Sequence, residues 1–263
     1  MSLDLLSYIP PILHIITLCY VIICSALFTF KNAPSLLTMF FTFSMSSFLM
    51  SDLYWFSYTS LRPEVRMPFA ANEIGEWATC LLMTAALSSV IDKRTTSPKS
   101  QIFFAWIFAA ANTILWISWS GEWIQDIITG LVMGYLLCTL VHAEFNARSF
   151  SKTELRYICY TAILMIIMQA SVFFIPSAIS SFINTSSYVL MSISIFYLYI
   201  KCIRTLKNPV NTKATLTLSF ISFFWTTICL WMSDGFFYLI FLVSNMLMLP
   251  LMLEAMKQEA HNA

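Results

Sequence analysis

Apolar residues fill this chain in runs of about 20, each long enough to cross about 30 Å of hydrocarbon as a helix. Short polar or proline-containing breaks separate the runs and give spans near residues 10–30, 35–58, 72–91, 101–119, 122–144, 156–175, 184–204, 214–232 and 236–256. The runs lack the period-two alternation of a barrel wall, which has one face to the lumen and one to lipid. The pattern therefore predicts an all-α fold: a polytopic integral membrane helical bundle of about nine transmembrane helices, one domain over residues 1–263. The narrowest break is "SWSGEW" at 118–123, where Ser and Gly flanked by Trp predict a tight hairpin between the fourth and fifth spans.

Sorting the basic residues among alternate breaks gives the orientation, because Lys and Arg are retained on the cytoplasmic side. Lys31, Lys93, Arg94, Lys99, Arg148, Lys152, Arg156, Lys201, Arg204, Lys207, Lys213 and Lys257 fall on one side, and only Arg62 and Arg66 on the other. An outside N-terminus and a cytoplasmic C-terminus satisfy the rule, and one missed span would scramble the alternation. The first apolar run lacks a basic leader and a small-residue cleavage site, so no cleavable signal is expected. The expected location is the cell membrane.

Composition agrees with a bilayer as solvent: 59% of residues are hydrophobic and 10% charged, with a mean hydropathy of +0.78. A net charge of +1 without a basic arm gives no means of binding nucleic acid by counterion release. The seven cysteines all lie inside apolar runs without CxxC spacing, which reads as packing rather than disulfides or zinc. Loops are short on both faces, leaving no room for a soluble domain between helices. Asn184-Thr185-Ser186 matches a glycosylation acceptor by chance at a membrane boundary. The tripeptide Met-Ser-Asp at 50–52 and 232–234 is too short to mark a duplication.

The acidic residues change this picture. Asp4, Asp52, Glu64, Glu73, Glu76, Glu122, Asp126 and Asp234 all fall at or near the outer side, although acidic residues contribute little to insertion topology. Helix N-termini stabilise carboxylates in their first turn, which accounts for Glu73 after Asn72, Glu122 after Ser120-Gly121, and Asp234. Asp4 and Glu64 read as solvated. Asp52 fits neither account: it lies about 25 Å along an outward-running helix, toward the negative end of its dipole. A carboxylate at that depth needs a protein partner or a wet cavity.

Glu76 lies one turn into the third span, and Asp126 one turn below Glu122. With the second, third and fifth helices as neighbours, Asp52, Glu76 and Asp126 would converge in an outward-open pocket, with Glu73 and Glu122 at its rim. Carboxylates without a thiolate nearby suit a hard divalent cation such as calcium, magnesium or manganese, or an organic ammonium, rather than zinc or copper. Arg62 and Arg66 offer the structural alternative, neutralising Asp52 or Glu76 as ion pairs. His14, near the outer end of the first span, is placed to join the pocket, although a lone histidine more often reads as a packed or interfacial residue. Trp55, Trp77 and Trp123 belong to the outer interface as an aromatic belt, or wall the pocket by cation–π contact.

Three functions follow in order of fit. A receptor-like or sensory module binding a cationic or polar ligand, and signalling to a separate protein or as a homo-oligomer, matches polarity confined to the outer half. A small-solute or cation transporter would use Asn112, Gln169 and Asn245 as lining and Pro250 as a kink, but only five glycines occur in the chain. An intramembrane enzyme is the weakest reading, since neither HExxH nor Gly-x-Ser-x-Gly is present.

Overall fold

The computed structural model describes residues 2–32, 34–62, 71–91, 99–208, 211–233 and 235–262. Among these, nine helices follow one another without a strand: α1 (Ser2–Lys31), α2 (Leu36–Leu61), α3 (Ala71–Ser88), α4 (Lys99–Ser120), α5 (Trp123–Ala147), α6 (Lys152–Phe174), α7 (Ser177–Lys207), α8 (Thr212–Trp231) and α9 (Gly235–Asn262). All but α3 are long and apolar enough to cross a membrane. The fold is that of a polytopic helical membrane bundle. Its two ends are named here by charge, the inner end carrying the basic turns.

Local chemistry sets the helix ends. Ser35 caps α2 by accepting from Thr38 N–H at 3.2 Å, and Thr38 Oγ1 accepts from Ser35 N–H at 3.3 Å. Asn211 caps α8 by accepting from Lys213 and Ala214 N–H. Only Gly121 and Glu122 separate α4 from α5, and Gly121 takes φ +75°, a conformation that favours glycine. The largest differences from the hydropathy reading fall at two helix starts. α1 begins at Ser2 and carries Pro10 and Pro11 within it, and α7 begins at Ser177, directly after Pro176. Proline breaks the hydropathy pattern without ending a helix whose neighbours pack around it. Asn184 accordingly lies inside α7.

α8 is the axis of the bundle: 83% of its apolar window is buried, against 17–39% for the other candidate spans. It packs against α5, α7 and α9, and Phe220 and Phe223 reach Phe41 and Phe48 of α2. Its many hydroxyls bond back to their own helix, Ser219 to Leu216 O and Ser222 to Leu218 O, so they cost little when buried. Around this axis α1 lies against α2 and α9, α2 against α3, α3 against α5, α4 against α5 and α6, and α6 against α7.

Small residues bring α2 and α3 together. Ser44, Ser47 and Ser51 face Gly75 and Thr79, and Ser44 Oγ donates to Thr79 O at 2.9 Å. A Cβ on Gly75 would lie 2.9 Å from Ser51 Cβ and 3.0 Å from Ser47 O. At the inner end a polar knot fixes the α5–α6 turn to α7. Glu144 accepts from Phe150 N–H at 2.8 Å and Ser149 N–H at 3.2 Å. Lys201 donates to Ser149 O at 2.8 Å and to Glu154 Oε1 at 2.9 Å, with its ammonium 4.4 Å from the centre of the Phe150 ring.

Gly75→Ala should therefore lower thermal stability in detergent by about 1–3 kcal/mol through overpacking. Ser51→Gly, which removes one of the clashing atoms, should recover part of that loss. Equal melting temperatures for wild type and Gly75→Ala would show that the α2–α3 contact is not tight.

Candidate functional site

Five polar side chains meet near the outer end. Asp52 lies nine residues before the end of α2 and Asn245 ten after the start of α9, so both sit about 14–15 Å below the outer helix ends at 1.5 Å per residue. His14 on α1 joins them: its Nδ1 bonds Asp52 Oδ2, and its Nε2 lies 3.0 Å from Asn245 Oδ1. The His14 side chain is 2% exposed and that of Asp52 24%, so the pair runs from core to open space. Asn245, fully buried, places Nδ2 2.8 Å from Thr227 Oγ1 and 3.4 Å from Thr226 Oγ1 on α8.

The threonines orient this chain. Thr226 and Thr227 both donate their hydroxyl hydrogens to Phe223 O, at 2.7 and 2.9 Å, and can only accept from Asn245. The amide NH2 therefore faces α8, Oδ1 faces His14, and Nε2 of His14 carries a hydrogen that it donates. Phe48 packs edge-on against the imidazole at 5.5 Å between centres and holds its plane.

Above this chain lies a cavity of ≈ 240 Å³ between α1, α2, α3, α8 and α9. Asp52 and Glu76 both line it, as does Asn72. Glu76 is half-buried, lies within the field of Asp52 and Glu73, and has no hydrogen bond or ion pair among the described residues. Trp55, Phe56, Trp231 and Tyr238 supply aromatic walls, and Trp55 leans on Tyr238 with ring centres 6.4 Å apart. Crowded carboxylates disfavour one another's charge, and a cation among them relieves that cost.

Other sequence candidates lie elsewhere. α3 stands between α2 and α5, and Asp126 on α5 accepts from Ser120 Oγ at 2.6 Å, closing the α4–α5 turn outside the cavity lining. Glu122 occupies the N-cap of α5 without a side-chain capping bond, and Glu73 sits in the first turn of α3 outside the lining. Trp77 Nε1 donates to Thr129 Oγ1 at 2.9 Å, tying α3 to α5, and Trp123 is exposed on α5. Arg62 ends α2, its backbone N–H donating to Tyr58 O, and makes no ion pair with Asp52 or Glu76. Arg66, Glu64 and Asp234 lie outside the described residues.

His14 is thus the partner of Asp52 and a member of the pocket, where the sequence alone favoured a packed or interfacial role. No spacing in the sequence points to it, because His14 lies 38 positions from Asp52 and 231 from Asn245. Asn112 and Gln169 form a separate bond, Gln169 Nε2 donating to Asn112 Oδ1 at 2.7 Å. Among the described residues no group of three or more His, Cys, Asp or Glu is arranged to hold a metal ion. A larger cavity of ≈ 520 Å³ between α6, α7 and α9 is lined by Ser180, Asn184, Tyr188 and neighbours, with no carboxylate, histidine or basic side chain.

Comparison of the chain with protein-family models, curated proteins and solved structures finds no match, which leaves function to be read from the geometry.

Losing either end of the His14–Asn245 bond strands a buried polar group, which costs about 1–3 kcal/mol. In a thermal-denaturation cycle, Asn245→Leu and His14→Leu should each destabilise, and the double variant by less than the sum of the two. Strict additivity would show that the two side chains are not coupled.

Proposed function

We propose that this protein is a receptor-like membrane module that binds a small organic ammonium in the outer cavity and signals to a separate protein or within a homo-oligomer. The observation that carries the reading is Glu76, which shares an aromatic-walled cavity with Asp52 and has no protein cation beside it among the described residues. An ammonium supplies the missing charge to Glu76 within reach of Asp52 and lies against the faces of Trp55, Trp231 and Tyr238. The volume of ≈ 240 Å³ is below the roughly 300–1,000 Å³ of sites for drug-sized ligands, which favours a small molecule. Two carboxylates and a histidine already engaged by Asp52 and Asn245 are a poor set for calcium, magnesium or manganese, which take about six or more oxygen ligands.

Binding without passage is favoured by the floor of the site. Phe48 and Leu242 close it, and Phe41, Met45, Phe220 and Phe223 are fully buried beneath. The hydroxyls of α8 at that depth are engaged with their own backbone and give a charged solute no polar path. The cell membrane is the setting proposed, with the cavity outward and the basic turns in the cytosol.

Calorimetric titration of the detergent-solubilised protein with amines from methylammonium to phenylethylammonium should find a binder. Asp52→Asn and Glu76→Gln should each weaken it at least about tenfold, the loss of roughly one charge-assisted hydrogen bond. Glu73→Gln and Asp126→Asn should change it little; equal losses for all four would remove the special role of Asp52 and Glu76. Proteoliposomes loaded with the best-bound amine should show no uptake or exchange above empty liposomes, and flux blocked by Glu76→Gln would make the protein a carrier instead.

A further inference from the structure

The bonds at the base of the cavity determine where protons sit. Nε2 of His14 is already protonated, because it donates to an Asn245 oxygen whose orientation the threonines of α8 impose. Nδ1 meets Asp52 Oδ2 directly. Two facing lone pairs would repel, so a second proton lies between those atoms. Imidazole and carboxylate together thus hold one proton more than a neutral ring beside an ionised acid. That proton is the resident partner of Asp52.

We infer that an ammonium ligand binds in exchange for this proton, so that occupancy of the cavity is coupled to release of one proton from the His14–Asp52 bond. The inference rests on the ammonium-receptor reading and adds its regulation. The exchange balances: R–NH3+ enters, H+ leaves to water through the open mouth beside the partly exposed Asp52, and one positive partner of the carboxylate replaces another. Nothing is oxidised or reduced. An ammonium has several N–H donors, so it can satisfy Asp52 Oδ2 and the freed Nδ1 lone pair together, while Nε2 keeps its bond to Asn245. Keeping both cations would set like charges side by side against the buried imidazole of His14, which favours exchange over addition.

The other titratable groups facing His14 among the described residues are few. α2 contributes Asp52, α3 contributes Glu76 with Glu73 behind it, and α9 contributes Tyr238. α8 presents Thr226 and Thr227, which carry no charge. Among the described residues Glu76, with Glu73 behind it, is therefore the competing source of a released proton near the ligand.

Calorimetry with phenylethylammonium in two buffers of different ionisation enthalpy counts the protons. Wild type should release about one per ligand, with affinity rising toward about tenfold per pH unit where the His14–Asp52 proton is fully held. Glu76→Gln should bind more weakly yet still release about one, whereas His14→Gln should bind with no release and a flat pH profile. Binding by wild type without proton release overturns the exchange and leaves the receptor reading standing. Loss of release in Glu76→Gln assigns the proton to Glu76 and overturns it as well. Failure of every amine to bind removes the receptor reading, and the exchange with it.

Discussion

A carboxylate about 14 Å from the end of an apolar helix persists only if something balances it, and in this protein that requirement organises the outer half of the bundle. Asp52 leans on His14, His14 on Asn245, and Asn245 on two threonines whose own hydrogens are spent on a backbone carbonyl. The chain joins α2, α1, α9 and α8 through directional bonds in a medium where an unpaired member would cost far more than in water. Packing among apolar side chains supplies most of the contact, but this chain specifies which helix faces which. Register and site are thus products of the same bonds.

The rest of the bundle is arranged so that those bonds can form. α8 needs an apolar exterior on every side to sit at the axis, and its serines and threonines meet that need by returning their hydrogens to their own helix. α3 reaches α2 closely because Gly75 has no side chain to keep it away from Ser47 and Ser51. That close approach places Glu76 over the same cavity as Asp52. At the opposite end the Glu144, Lys201 and Glu154 knot fixes the α5–α6 turn to α7 and leaves α8 and α9 free of it.

Much of this was legible from composition and spacing. Apolar run length gave the helical membrane bundle, since a backbone in lipid must satisfy its own hydrogen bonds. The unfavourable dipole position of Asp52 singled it out before any neighbour was known. The hydropathy reading misplaced the starts of α1 and α7 because it treats Pro10, Pro11 and Pro176 alike, whereas the first two lie within a helix and the third precedes one. It also grouped Asp126 with Asp52 and Glu76, a step that needed α5 beside α2; α3 lies between them.

The amino-acid sequence by itself determined the solvent, the helical class, the sorting of charge between the two ends and the residue whose burial demands a partner, because these depend on what each side chain costs in hydrocarbon. The partner itself was decided by tertiary structure alone. His14 and Asn245 are 231 positions apart and Asp52 is 38 from His14, so no local spacing links them. Only the packing of α1 between α2 and α9 sets the three at one depth on facing surfaces, where a single proton can be shared.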